Sequence, residues 1–266
     1  MTGVQTCALP ICLFLSFTLC SRLFAFDHTH AAWGKWLKQF ANVNGPSTTV
    51  NYKAAKAEPN MLKPYLKTLE AVTKAEHDGF TDPQKMSFLI NAYNAFTVSI
   101  VTDNYPIKSI KDLGGLFSSP WKKKFFTLFG EEQNLDNIEH DRLRKEWAEP
   151  RVHFALVCAS KGCPALRGEA YVATKLEEQL EAAAKLFLND TSRNRWDQAE
   201  NKLYLSKVFD WYAGDFIKKS GSVQSFVTPR MATVPANAAK MAKAQIGYLD
   251  YDWTLNETPA RSNAGK

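Results

Sequence analysis

Cysteine and histidine are scarce in this sequence, with five of each among 266 residues. The sequence also lacks a glycine-rich phosphate loop, an HExxH helix and a GxSxG elbow, which excludes the most recognisable nucleotide-binding, zinc-protease and serine-hydrolase signatures. Lys plus Arg exceed Asp plus Glu by only 33 to 27, spread along the chain, so no nucleic-acid partner is indicated. The 45% hydrophobic and 12% aromatic content is ample for a folded core.

The first residues indicate export. Residues 12–26 are apolar but too short and too interrupted to span a bilayer, and polar residues follow at once. We interpret residues 1–26 as a truncated secretory signal, and expect a periplasmic protein without a transmembrane span after its removal. Signal peptides usually carry Lys or Arg before the apolar stretch, and residues 1–11 hold neither. Residues 2–11 read like the translation of a sequencing adapter, which would explain the loss of that positively charged segment. Cys158 and Cys163 are then the only mature cysteines, in an oxidising compartment.

A helix predicted over residues 83–102 is apolar on nearly every side, with Asp82 as its N-cap and Pro83 at its first position. Such a helix forms the buried centre of a domain. Its exceptions are Ser87, Asn91 and Asn94, whose spacing places them on one face. Buried amides need hydrogen-bond partners, so this stripe faces either a neighbouring loop that it caps or a polar cleft.

The remaining patterns favour a mainly helical α+β fold with a small antiparallel sheet. We expect one globular domain over residues 27–257 and a loose tail over 258–266. Further helices are predicted over 33–40, 61–72, 141–147, 176–189 and 208–216, with a capping box from Thr174 to Glu177. Extended segments are predicted over 125–128 paired with 135–138, over 195–196 paired with 202–205, and over 249–255 as a half-buried strand.

The segment 150–164 carries His153, Cys158 and Cys163 and is the centre of the chemical argument. Pro150 and Gly162 favour a helix here. In a regular helix or strand, His153 and Cys158 point in different directions and cannot form a direct pair. A nucleophilic Cys158 would then need another base, and the best remaining candidate is His140.

Two other readings of the cysteines stay open. A disulfide between Cys158 and Cys163 needs Cα atoms within roughly 7 Å, which a sharp turn at Gly162 permits. A helix ending near Cys158 would oppose a thiolate there, which counts against catalysis. Zinc has less support, because no second cysteine pair matches the first. No metal site and no cofactor is predicted.

Several of these segments, taken together over residues 49–256, resemble the family called domain of unknown function 547. The matching stretches are residues 88–96, 135–140, 153–164, 205–212 and 248–256. The resemblance implies one compact domain and bacterial export, with no established reaction. It also implies that the position of Cys163 can be serine in relatives, so a disulfide is not the only purpose of the motif. Its motif positions hold Asn91, Tyr93, Asn94, Glu139, His140, His153, Cys158 and Ser160.

The leading hypothesis is a thiol-dependent enzyme acting on an amide, ester or thioester of an unidentified small molecule or peptide. Cys158 would be the nucleophile, His140 the base, Glu139 an orienting group, and Asn91 or Asn94 an orienting or oxyanion-binding group. Supporting positions are Tyr93, His153 and Ser160. The alternatives are an exported binding or scaffold module with a Cys158 to Cys163 disulfide, and a redox or metal-handling protein.

Overall fold

A computed structural model describes residues 25–115 and 118–259. Its helices are α1 Ala31–Phe40, α2 Tyr52–Ala57, α3 Lys63–Glu70, α4 Lys74–Asp78, α5 Asp82–Asn104, α6 Arg144–Glu146, α7 Leu176–Leu188, α8 Val208–Trp211, α9 Ala213–Ser220, α10 Val223–Met231 and α11 Pro235–Met241. Its strands are β1 Ala41–Asn44, β2 Ser47–Val50, β3 Phe126–Leu128, β4 Glu131–Gln133, β5 Arg195–Asp197, β6 Lys202–Ser206 and β7 Gln245–Leu249. Short 3-10 turns lie at Pro59–Met61, Ile110–Leu113, Pro120–Lys122, Pro150–Phe154 and Ala173–Lys175, and a π-helical segment at Asn137–Leu143.

Helix α5 is buried on all sides from Met86 to Val98, as its apolar sequence predicts. The predicted N-cap was off by one residue. Thr81 caps the helix in a capping box with Gln84, which accepts from the Thr81 backbone N–H at 2.9 Å. Asp82 and Pro83 therefore lie in the first turn, where a carboxylate and a missing N–H are both favourable.

The predicted mainly helical α+β class is confirmed. Strands β1 and β2 form one antiparallel hairpin, and β3 and β4 form another. The third sheet has the order β5-β6-β7, in which the β5–β6 pair is antiparallel and the β6–β7 pair is parallel. The parallel pair was not predicted, because strands that meet through a long crossover leave no local turn signal.

Four local predictions were wrong. Residues 135–138 do not pair with 125–128, since β4 ends at Gln133 and the chain turns directly into the π-helical segment. That segment continues into α6, so the helix predicted over 141–147 begins earlier and stops before Trp147. Helix α7 begins after a 3-10 turn and has no side-chain cap, so the predicted capping box is absent. The last strand is β7, and residues 250–254 are irregular.

The segment around Cys158 is neither of the regular forms considered. Pro150 does begin a helical turn, but the 3-10 turn ends at Phe154 and the chain is irregular from Leu156. Ala159 has a positive φ of 57°, which turns the backbone sharply. The side-chain directions expected for His153 and Cys158 in a regular helix or strand therefore do not apply.

Two clusters of buried side chains form the core. The first surrounds α5, and the second lies among α7, α9, α10 and β6. The turn Pro150–Phe154 contributes to both, because Val152 belongs to the first cluster and Phe154 to the second. The aromatic ring of Phe154 lies 5.3 Å from that of Phe187 and 5.7 Å from that of Phe209.

The predicted signal segment, 1–26, and the predicted tail, 258–266, fall largely outside the described residues. The signal segment up to residue 24 and the tail from residue 260 are not described. Among the helices of residues 25–115 and 118–259, none is long and apolar enough to cross a membrane.

Candidate functional site

One cavity of about 230 Å³ brings together side chains from distant parts of the chain. Helix α5 contributes Tyr93, the π-helical segment contributes Glu139 and His140, and the 3-10 turn at 150–154 contributes His153. π-Helical segments are frequent at functional sites. The cavity is also lined by Trp121, Asp136, Cys158, Cys163, Trp211, Tyr212, Tyr251 and Trp253.

Cys158 and Cys163 lie at disulfide distance, with their Cα atoms 6.2 Å apart. The spacing requirement for the predicted disulfide is therefore met. Among the described residues, the hydrogen-bond contacts of the Cys158 sulfur are the hydroxyls of Ser160 and Tyr251, each at 3.1 Å. Neither His140 nor His153 is among these contacts, so no direct Cys–His pair is formed in this state.

The cysteine loop is held against the C-terminal segment 251–256. Lys161 N–H donates to the Thr254 carbonyl, and Gly162 N–H donates to the Asp252 carbonyl, both at 2.8 Å. A Cβ on Gly162 would lie 3.0 Å from the backbone of Asp252 and from the Tyr251 ring, which is a tight contact that glycine avoids. Gly162 was predicted to cap a helix, whereas it allows two backbone segments to pack closely.

Burial raises the pKa of Tyr251 to about 12, with the Ser160 hydroxyl opposing that shift. Tyr251 therefore keeps its proton at neutral pH. Ser160 donates to the Tyr251 oxygen at 3.2 Å, which leaves the Tyr251 proton available to the Cys158 sulfur. A hydroxyl donor at this position would stabilise a Cys158 thiolate in the reduced protein.

His153 is buried and bonded to a carboxylate from helix α9. Its Nε2 lies 2.8 Å from Oδ2 of Asp215. The hydrogen bond from His153, and then the guanidinium of Arg144, hold the pKa of Asp215 far below its usual range against the effect of burial. Asp215 is therefore ionised and can only accept, so His153 carries its proton on Nε2. Its Nδ1 is buried, has no hydrogen-bond partner and lies 3.9 Å from Oε1 of Glu139.

His140 has the opposite arrangement. Arg144 donates to its Nδ1 at 2.7 Å, and a guanidinium cannot accept. The neutral ring of His140 therefore has its proton on Nε2 and no free lone pair. Nε2 lies 3.7 Å from Asp136, beyond hydrogen-bonding distance, and the side chain is 39% exposed. His140 can thus donate a hydrogen bond into the cavity but is poorly arranged to act as a base.

Glu139 is a buried carboxylate between two tyrosines. Burial first, and then the Glu139 carboxylate, raise the pKa of both Tyr93 and Tyr212. Both phenols therefore stay protonated and can donate to Glu139. The ring of Tyr212 also stacks on His153, with centroids 3.8 Å apart. These contacts fix the orientation of Glu139 and His153.

Asn91 and Asn94 do not line the cavity. Asn91 donates to the Tyr171 carbonyl at 2.7 Å and accepts from the Tyr171 N–H at 3.0 Å. Asn94 donates to the Ala155 carbonyl at 2.9 Å and accepts from the Val157 N–H at 3.0 Å. Both amides are saturated by backbone groups, so of the two readings of this stripe the geometry matches loop capping.

Part of the chain matches a known protein family. Residues 77–188 match the family model described as Protein of unknown function, DUF547. These residues belong to the DUF547 family. No curated protein and no solved structure matches the chain. The DUF547 match is shorter than the resemblance over residues 49–256, but it includes both cysteines, Glu139 and both site histidines.

Several site residues lie beyond the DUF547 match and were missed by the sequence reasoning. Asp215 lies in α9, Tyr212 lies directly before α9, and Tyr251 lies in the C-terminal segment. Tyr212 and Tyr251 stand in two of the stretches that carry the resemblance, so that signal could have found them. Asp215 is 62 residues from His153, and no local pattern marks it. Among the described residues, no group of three or more His, Cys, Asp or Glu side chains is arranged to hold a metal ion.

Proposed function

We propose that this DUF547 protein is a cysteine-dependent hydrolase or transferase of acyl groups, active in its reduced form. Cys158 is the nucleophile, as the sequence predicts. The base is His153, oriented by Asp215, in place of His140. His140 instead donates from Nε2 to the developing oxyanion, the role first expected of Asn91 or Asn94.

The observation that carries the proposal is the state of His153. Its Nε2 is committed to Asp215, while its buried Nδ1 has no partner and belongs to the wall that also holds Cys158. A carboxylate that fixes one ring nitrogen and leaves the other as a free lone pair is the arrangement of a general base.

In the proposed reaction, His153 removes the Cys158 proton and the thiolate attacks the carbonyl carbon of an amide, ester or thioester. The carbonyl oxygen accepts the hydrogen bond from His140 Nε2. His153 then protonates the leaving group as the tetrahedral intermediate collapses to an acyl-enzyme. Water or a second acceptor releases the acyl group from Cys158.

The redox state of the cysteines controls this chemistry. Paired with Cys163, the Cys158 sulfur contacts hydroxyls and no imidazole, so the reaction requires reduction by a dithiol and movement of the freed thiol toward His153. We further propose export to an oxidising compartment, where such a pair is stable until it is reduced.

The test is thiol reactivity and acyl transfer in matched variants. Cys163→Ser protein should acylate on Cys158 with p-nitrophenyl acetate, detected by a burst and by intact mass, with no need for a reductant. His153→Asn or Asp215→Asn in that background should slow acylation at pH 7 by about 100-fold. His28→Asn, outside the cavity, is the matched control. An unchanged rate in the His153 variant would refute the assignment of the base.

A second candidate function is a binding or scaffold module, and it is favoured by the proximity of Cys158 and Cys163 at disulfide distance. In that case the bond is permanent and braces the cavity wall. Mass spectrometry of native protein alkylated with and without reduction separates the two. If Cys158 and Cys163 are fully oxidised in every functional preparation and Cys158 is unreactive after reduction, the result supports the binding module and contradicts the enzyme proposal.

A further inference from the structure

We propose that the cavity binds a primary ammonium group, as found on a lysine side chain or an alkyl amine. This inference deepens the proposed function by assigning a cationic group to the substrate. The ligand is a substrate only in so far as the proposed function holds, so the inference rests on it to that extent. The binding itself does not depend on turnover. Three features support it: the aromatic rim of the cavity, a lysine ammonium that already lies on this rim, and the acidic floor.

The rim consists of four aromatic side chains, of which Trp211 is exposed and the other three are partly buried. Trp211 is 47% exposed and lies 4.9 Å from Tyr251 and 5.7 Å from Trp253, measured between ring centroids. Trp121 completes the rim against Trp253 at 5.8 Å. An exposed tryptophan within an aromatic cluster is a candidate ligand contact, and tryptophan is the best aromatic partner for a cation.

The chain itself already places one ammonium on this rim. The Nζ of Lys111 lies 3.8 Å from the centroid of the Trp253 ring. That contact lies on the aromatic cluster formed by Trp253, Trp211 and Tyr251. It demonstrates that the rim accommodates an alkylammonium group with ordinary cation–π geometry.

The charges of the cavity wall favour a cation over an anion. Asp136 and Glu139 are the carboxylates of the wall, and its lining holds neither lysine nor arginine among the described residues. The nearby Arg144 is engaged by both oxygens of Asp215, at 2.6 and 3.0 Å, so its charge is already paired. An ammonium entering the cavity therefore meets the carboxylates of Asp136 and Glu139, and on the Trp253 side of the rim the ammonium of Lys111.

A primary ammonium is favoured over a quaternary one by the acceptors on the floor. The carboxylates of Glu139 and Asp136 line the cavity. A carboxylate accepts hydrogen bonds at about four lone-pair sites, so Glu139 can accept from an ammonium as well as from Tyr93 and Tyr212. A primary ammonium supplies three donors, while a quaternary group supplies none. The Nδ1 of His153 stays free to act as the base.

The experiment compares two probes that differ in one group. The full chain is titrated calorimetrically with Nα-acetyl-lysine-N-methylamide and with its neutral counterpart Nα-acetyl-norleucine-N-methylamide, in oxidised and reduced states. The lysine compound should bind about tenfold or more tightly than the norleucine compound. Equal affinity for the two, or binding of methyl glucoside with no binding of the lysine compound, would overturn the inference.

Variants locate the interaction. Glu139→Gln and Trp211→Leu should each reduce the preference for the lysine compound severalfold or more, while melting temperatures verify folding. Tyr248→Leu removes another exposed aromatic ring outside the cavity and should leave the preference unchanged. If the preference for the lysine compound is unchanged in both cavity variants, the ammonium does not bind in this cavity and the inference is wrong.

The two proposals fail separately. If Cys158 of Cys163→Ser protein is acylated with His153 dependence but the two probes bind equally, only the ammonium inference falls. If the lysine compound binds selectively but Cys158 is unreactive, only the enzyme proposal falls.

Discussion

Asn94 illustrates how a single buried side chain holds the site in place. Its amide pairs with the Ala155 carbonyl and the Val157 N–H, at the point where the 3-10 turn ends and the chain runs on irregularly to Cys158. Neither backbone group has helical or strand partners of its own. Asn94 thus substitutes for secondary structure between His153 and Cys158.

Replacing Asn94 should cost more stability than an ordinary surface change. Asn94→Ala leaves a buried donor and a buried acceptor without partners, and we expect a loss of about 2–4 kcal/mol in the free energy of unfolding. Asn104→Ala, near the exposed end of the same helix, should cost less than about 1 kcal/mol. Urea denaturation measures both, and a loss as small as that of the control would contradict the loop-capping role.

The pairing of Asp215 with His153 and Arg144 predicts how stability depends on pH. The pKa of Asp215 is held below its ordinary value of 3.8, first by the hydrogen bond from His153 and then by Arg144. A depressed carboxyl pKa contributes stability above the unfolded value, and this contribution is lost as the pH falls below about 3.8.

Asp215→Asn should therefore be less stable than the wild type at pH 7, by about 1–3 kcal/mol. The difference should narrow progressively below pH 3.8. The exposed Asp210→Asn change, which removes a pair with Lys207 at 3.0 Å, serves as the control and should have little effect. Urea denaturation at several pH values measures this, and a constant difference between pH 7 and pH 3 would contradict the linkage.

Among the elements, the C-terminal segment 251–256 acts as a strap across the cysteine loop. It holds Lys161 and Gly162 through backbone hydrogen bonds, and Asn256 ties it in turn to β2. The same segment supplies Tyr251 and Trp253 to the cavity. One stretch of irregular chain thus fixes the cysteine loop and builds half of the aromatic rim.

Gly162→Ala should loosen this strap. The added Cβ meets both backbone atoms of Asp252 at 3.0 Å, and backbone cannot move aside as a side chain can. We expect a loss of about 1–3 kcal/mol and faster hydrogen exchange of the Gly162 region.

Gly214→Ala is the matched control, because a Cβ there meets nothing within 4 Å. Gly214 lies in helix α9, so the change should stabilise the protein by about 0.5–1 kcal/mol. Equal effects of the two substitutions in thermal unfolding would show that the close approach at Gly162 is unimportant.

For the whole molecule, the two core clusters share structural elements. Val152 and Phe154 contribute to different clusters from one 3-10 turn, and α7 places Leu180 in the first and Phe187 in the second. Rigid elements that are buried in both clusters make independent unfolding costly. We expect residues 27–257 to unfold as one cooperative unit.

Phe154→Ala tests this coupling. Its ring is fully buried among aromatic neighbours, and its loss should cost about 3–5 kcal/mol while retaining a single transition. Far-UV circular dichroism and tryptophan fluorescence should give coincident unfolding curves in both proteins. Two separated transitions would instead divide the chain into two folding units.

Much of the fold could be predicted because its signals are local. The run of apolar residues in α5 and the stripe in α7 depend on neighbours within a few residues. The errors arose where long-range contacts replaced local geometry. Leu135 looks extended by composition but is fully buried at the start of the π-helical segment, and the chain after Phe154 is held by Asn94 in place of its own periodicity.

The site shows the same division. Cys158, His153 and His140 could be named from the sequence, because scarce chemical groups are visible there. Glu139 was named as the neighbour of His140, and Tyr93 through the family resemblance alone. The role of each depends on partners far along the chain. Arg144 occupies the lone pair of His140, and Asp215 orients His153, and only folding brings these groups together.

The sequence by itself determined which residues form the central helix, and that one segment carries His153, Cys158 and Cys163, since periodicity and rarity are properties of the chain. Tertiary structure decided which histidine keeps a free nitrogen, and that Asn91 and Asn94 bond to backbone outside the cavity wall. A proton position follows from the nearest donor or acceptor, and here that neighbour lies on another element.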